Sequence, residues 1–186
     1  MSSAESGHTA DQPHESPDGT PPRLIATAYH EAGHAIMALL LGRPVHKVTI
    51  AAGRMLAGDM LIGMRLGACQ MGKGRKRSSN DALEDEVLIL LAGMVAESQW
   101  TGDYCRQGAA HDLLAARRLL SQTRAHNDRQ LERLEQRLIE KAEHLLADAV
   151  ATQSIQAVAT ELIAKTTISG RAVQHLLTQA KQKFGE

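Results

Sequence analysis

Leu24, Ala28, Ala32, Ala35 and Leu39 fall on one stripe near the start of the chain, at the three-and-four spacing of a helix with one inward face. Pro21 and Pro22 suit a first helical turn, where a missing N–H costs nothing, and Gly42 followed by Pro44 supplies a stop. A helix is therefore expected from about Arg23 to Leu41. The pattern then changes period. Val45 to Ile50, reading VHKVTI, is rich in β-branched residues and predicts a short strand, and Asp59 to Met64 predicts a second after a glycine-punctuated stretch. Gly67 to Asn80 reads as a loop.

Helical spacing returns with Leu83, Val87, Leu91, Met94 and Val95, preceded by capping signals at Ser78, Asp81 and Glu84 and ending near Trp100. Four more helices are expected, around Ala109 to Arg124, Arg129 to Ala147 (inward Leu131, Leu134, Leu138, Ala142, Leu145), Gln153 to Lys165 and Ser169 to Lys181. The fold class is mainly α, with a small β-sheet in the N-terminal third. Residues 1–22, rich in Ser, Pro, Asp, Glu and His, predict a disordered tail, and residues 23–186 a single domain.

Composition narrows the function. Lys plus Arg and Asp plus Glu number 21 each, so no global field draws the chain to nucleic acid or an anionic membrane. Aromatics are only 2%, which removes the stacking platforms of single-strand binders. The apolar runs Ala35–Leu41 and Val87–Val95 fall short of the roughly 20 residues that cross a bilayer. The tail lacks the apolar stretch of a signal peptide. Two cysteines, Cys69 and Cys105, form no CxxC pair and read as free thiols of a reducing compartment. A cytoplasmic protein with no membrane span and no nucleic-acid partner is expected.

The chemistry lies in the first helix. Residues 30–34 read His-Glu-Ala-Gly-His, an HExxH motif. Residues four apart share a helix face, so His30 and His34 can reach one zinc ion while Glu31 stands beside the activated water as general base. Bound zinc lowers the pKa of water and polarises a scissile carbonyl. Gly33, inside this helix, predicts a close approach by another element or by substrate. A catalytic zinc usually takes three protein ligands. Glu97, His111 and Asp112 are the candidates for the third, and spacing alone does not choose among them.

The stretches AYHEAGHAIMALLLGRPVHKVTI (28–50), LLAGMVAESQWTG (90–102), GAAHDLLAARRLL (108–120) and VATELIAKTTISGRAV (158–173) resemble, in order and spacing, the peptidase domain of the FtsH family of ATP-dependent zinc proteases. The resemblance spans most of residues 24–182. It implies a zincin-like helical metallopeptidase domain acting on polypeptides, with zinc as cofactor and a separate ATPase or further copies of itself as candidate partners. It also implies Asp112 as the third ligand, from the family's Gly-Ala/Ser-x-Asn-Asp segment, with His111 standing where the family has Asn. Adjacent helix positions point about 100° apart, so one metal takes one of the two. Glu97 matches a family glutamate and reads as a structural carboxylate. The family's ATPase module and membrane anchor are not recognised in these 186 residues, which leads us to expect unfolded or flexible substrates and no effect of ATP. The segment after the aspartate helix is short, about Ser121 to Asp128, which bears on the substrate groove and on ring assembly. The alternatives are a proteolytically silent binding or regulatory module of the same fold, and metal-dependent hydrolysis of a non-peptide substrate.

Other features carry less. Gly67 to Gly74 falls one hydroxyl short of a phosphate-binding P-loop, with Gly74 where Ser or Thr would hold magnesium, and reads as a flexible turn. Lys73 to Arg77 reads as a solvated basic loop. His46 reads as structural, and Cys105, seven residues before Asp112, as an ordinary thiol.

Overall fold

The structure is a computed structural model that describes residues 19–57, 60–72, 74, 79–122 and 127–185. Most of the expected tail, residues 1–18, therefore lies outside the described residues, as does most of the Lys73–Arg77 loop. Among the described residues are six helices, α1 (Pro22–Leu40), α2 (Ser79–Thr101), α3 (Ala110–Leu120), α4 (Asp128–Leu146), α5 (Ala149–Lys165) and α6 (Gly170–Phe184). Three strands, β1 (Val45–Ala57), β2 (Met60–Met71) and β3 (Thr167–Ser169), form an antiparallel sheet in the order β2-β1-β3. The mainly helical class with a small sheet is as the sequence predicts. No described helix is long and apolar enough to cross a membrane.

Helix α1 is central, packed against α2, α5 and the sheet. Its approach to α2 is set by small residues. A Cβ on Gly33 would lie 2.4 Å from the Ala92 carbonyl oxygen and 2.5 Å from the Ala96 Cβ, so the glycine permits the close backbone approach that its place in the helix led us to expect. Ala28, Ala32 and Ala35 of α1 and Ala92 and Ala96 of α2 are all fully buried. Tyr29 and Trp100 stack at 5.7 Å between ring centroids and close the far end of the same contact.

The departures from the expected elements have local causes. Both long strands exceed their expected lengths, because register shifts at Val45/Lys47, Thr49/Ala52 and Met55/Leu56 interrupt the alternation that marks a strand in sequence. Residues 67–71 belong to β2 and pair with β1, with Val48 opposite Cys69. Gly67 to Met71 is strand, which corrects the reading of Gly67 as the start of a loop and of Gly67 to Gly74 as a flexible turn. Helix α5 begins at Ala149 rather than Gln153, since the Asp148 side chain accepts from the N–H groups of Val150 and Ala151. Strand β3 was not expected. Its three residues pair with Lys47, Val48 and Thr49, and Ser169 both ends it and caps α6 through the Ala172 N–H. The buried face of α4 is Glu135, Leu138, Ile139, Ala142 and Leu146, and the other members of the expected stripe, Leu131, Leu134 and Leu145, pack against the core beside it, half-buried.

Candidate metal centre

His30, Glu31 and His34 lie in the middle of α1, where the surrounding positions are core, and all three are buried. One helical turn separates the two imidazoles, which meet edge to face at 4.7 Å between centroids. Each ring is oriented by its Nδ1. That of His34 donates to the Ile89 carbonyl oxygen at 2.7 Å, and that of His30 is 3.0 Å from Glu97 Oε2. A carbonyl oxygen can only accept, so His34 Nδ1 carries a hydrogen, and Nε2 is the ring nitrogen left to face a metal.

Both Nε2 atoms face one carboxylate. Asp112, in the first turn of α3, places Oδ2 3.1 Å from His30 Nε2 and 3.4 Å from His34 Nε2. The Nε2 of His34 is buried and makes no hydrogen bond of good geometry. One ligand atom from each of the three residues falls within 4.8 Å of the other two, a group able to hold a metal ion. Two imidazole nitrogens and a carboxylate oxygen suit zinc, and their orientation by groups behind them is the usual construction of such sites.

The electrostatics express the same crowding. Burial alone would depress the His30 pKa, but the hydrogen bonds to Asp112 and Glu97, helped by the charges of Asp112 and Glu31, outweigh it and raise the value to about 9. Burial would raise the Asp112 carboxyl, and the hydrogen bond and charge of His30 reverse this and hold it well below the usual carboxylate range.

Two glycines shape the cavity, Gly93, which the sequence does not single out, and Gly67, which in sequence reads only as the start of a turn. A Cβ on Gly93 would lie 2.5 Å from His34 Nε2 and 2.7 Å from His30 Nε2, so α2 must present a bare backbone to the imidazoles. Gly67 of β2, at φ +122°, would set a Cβ 2.6 Å from Glu31 Oε1. The strand thus passes directly against the carboxylate. Ile89, Gly93 and Glu97 are four apart on α2 and supply a carbonyl, a gap and a carboxylate to the two histidines. That ladder is the signal in the sequence that could have found Gly93.

Of the candidates for the third position, Asp112 is the one brought to both Nε2 atoms. His111 is exposed. Glu97 is buried and touches His30 from the Nδ1 side, so its expected structural role is that of orienting a histidine. His46 is exposed on β1, and Cys105 is exposed, its sulfur accepting from the Gly108 N–H at 3.2 Å.

The family model for peptidase family M41 matches residues 23–123, more than half of the chain and a span that contains His30, Glu31, His34 and Asp112. The chain belongs to peptidase family M41. Among its relatives, the ATP-dependent zinc metalloprotease FtsH of Protochlamydia amoebophila is 37% identical over 97 residues, covering 50% of this chain and 10% of that protein. The corresponding protease of Acidimicrobium ferrooxidans is 39% identical over 90 residues, 46% of this chain and 12% of the relative. FtsH 2 of Methylacidiphilum infernorum is 37% identical over 92 residues, 48% and 13% respectively. The M41 chain described here thus spans only about a tenth to an eighth of the length of these relatives.

Proposed function

We propose that residues 23–186 form a cytoplasmic zinc-dependent endopeptidase domain that hydrolyses unfolded or flexible polypeptides, with His30, His34 and Asp112 holding the metal and Glu31 as general base. The observation that carries this reading is the convergence of His30 Nε2, His34 Nε2 and Asp112 Oδ2 with both Nδ1 atoms already engaged from behind. The relatives' description as zinc metalloproteases supports the choice of ion. Zinc held there would lower the pKa of a water towards neutrality and polarise the scissile carbonyl.

The chain's own residues supply the remainder. Glu31, 2% exposed and next to His30, takes the proton of the attacking water and delivers it to the leaving amine. Glu97 and the Ile89 carbonyl keep the imidazoles turned towards Asp112. Nothing in this chemistry consumes a nucleotide. Stable proteins open globally at a cost of about 5–15 kcal/mol, so folded substrates resist unless a separate ATPase or an oligomeric assembly opens them.

Two expected results test the centre. His30, with its pKa at about 9 in the metal-free protein, carries a proton at pH 7 that must leave when metal binds. The raised value means the proton is held below about pH 9 and lost above it, so metal affinity climbs about tenfold per pH unit towards 9 and then levels. Calorimetric titration in buffers of different ionisation enthalpy should show about one proton released per metal at pH 7. No release would mean that His30 is already neutral at pH 7 in the metal-free protein, against the raised value. Gly93→Ala should weaken metal binding by about 10-fold to 100-fold, as expected when the supports of a ligand shift, because its methyl would displace both Nε2 atoms. Undiminished affinity in chelator competition would count against the cavity described here.

A further inference from the structure

Among the described residues three carboxylates are buried, and Glu31 and Glu97 belong to the metal centre. The third, Glu135, does not. It is 4% exposed on the inward face of α4, in line with Leu138, Ile139 and Ala142. Arg106 donates from Nη2 to Glu135 Oε1 at 2.9 Å, and Arg117 donates from Nε to Oε2 at 2.5 Å and from Nη2 to Oε1 at 3.3 Å. Arg106 precedes Asp112 by six residues and Arg117 follows it by five. One carboxylate therefore holds the chain on both sides of the residue that faces His30 and His34. A second tie runs in the same direction, since the Tyr104 hydroxyl donates to Glu143 two turns further along α4.

Helix α3 needs such a hold. It has 11 residues, its N-cap Ala109 makes no side-chain bond to the first turn, and only Leu113, Ala116 and Leu120 are buried. A helix this short does not hold its own geometry in water, yet Asp112 lies in that first uncapped turn. Stability does not account for Glu135. Burying a carboxylate against two half-exposed guanidiniums returns little net free energy, and an apolar side chain at such a position is often neutral or stabilising.

We infer that Glu135 is a positioning residue of the metal centre: by pairing with Arg106 and Arg117 it fixes where α3 sets the Asp112 carboxylate over His30 and His34. This rests on the metal reading above. The test uses the full chain with cobalt as the probe, because its visible spectrum reports ligand geometry as well as occupancy. Glu135→Leu should leave the thermal midpoint unchanged or higher while weakening cobalt binding by about 10-fold or more and altering the visible bands, since ligand precision is lost when the supporting shell is removed. Arg106→Gln, which keeps the Arg117 contact, should move both metal readouts in the same direction by less, and it decides the matter where Glu135→Leu does not fold. Variants that bind cobalt with wild-type affinity and spectrum, whatever their stability, overturn the inference. Wild-type protein that takes up no cobalt overturns the metal reading itself, and this inference with it.

Discussion

Glu31→Gln should abolish cleavage of peptides while leaving fold and metal content intact. The amide keeps the shape of the carboxylate but cannot accept the proton of the attacking water, and loss of a positioned general base costs about 10²–10⁴ in rate. Glu31 suits this role because it is next to His30 on a buried helix, with β2 running against it at Gly67. A side chain so enclosed has little conformational freedom, which keeps the base in place. The comparison is kcat on an unfolded casein substrate for wild-type and variant protein of equal zinc content. Equal turnover would remove Glu31 from the mechanism.

His34→Ala should cost more than about 100-fold in zinc affinity, beyond the 10-fold to 100-fold range typical of changes behind the ligands. His34 has Nδ1 held by the Ile89 carbonyl and Nε2 turned towards Asp112 without a hydrogen bond of good geometry, so alanine removes a metal-binding nitrogen that no neighbour replaces. Asp112→Ala should fall in the same class. The exposed His111, one residue away, should tolerate alanine with metal affinity unchanged. Chelator-competition titrations on the three variants rank them directly. A large loss at His111 with retention at Asp112 would reassign the third ligand.

Much of this arrangement was legible in the sequence because its elements announce themselves locally. His30, Glu31 and His34 need only a helix to share a face, and the stripe from Leu24 to Leu39 predicts that helix. Gly33 signals a close neighbour by its cost in a helix interior, and α2 supplies one. What was not legible depends on contacts distant in the chain. Asp112 is 82 residues from His30, and the residues alone left it level with His111 and Glu97 until the family resemblance separated them. Glu97 reads in sequence only as a structural carboxylate because nothing local links it to an imidazole 67 positions earlier. Gly93 passed unnoticed among the small residues of α2, since its task is to be absent from the space that two histidines fill. Strand β3 is three residues long and exists through its pairing with Lys47 to Thr49, too short for any period to register. Glu135 was missed on the inward face of α4 because a charge breaks the apolar pattern from which such faces are read.

The most direct test of the central claim is cleavage of an unfolded protein by the purified chain before chelation, after chelation and after zinc is returned, with ATP present and absent. We expect cleavage that is lost with the metal, restored by about one zinc per chain and indifferent to ATP. Cleavage that survives complete metal removal would contradict the assignment of His30, His34 and Asp112. A chain that holds its zinc and cleaves nothing would contradict the peptidase reading and leave this M41 domain as a binding or regulatory module.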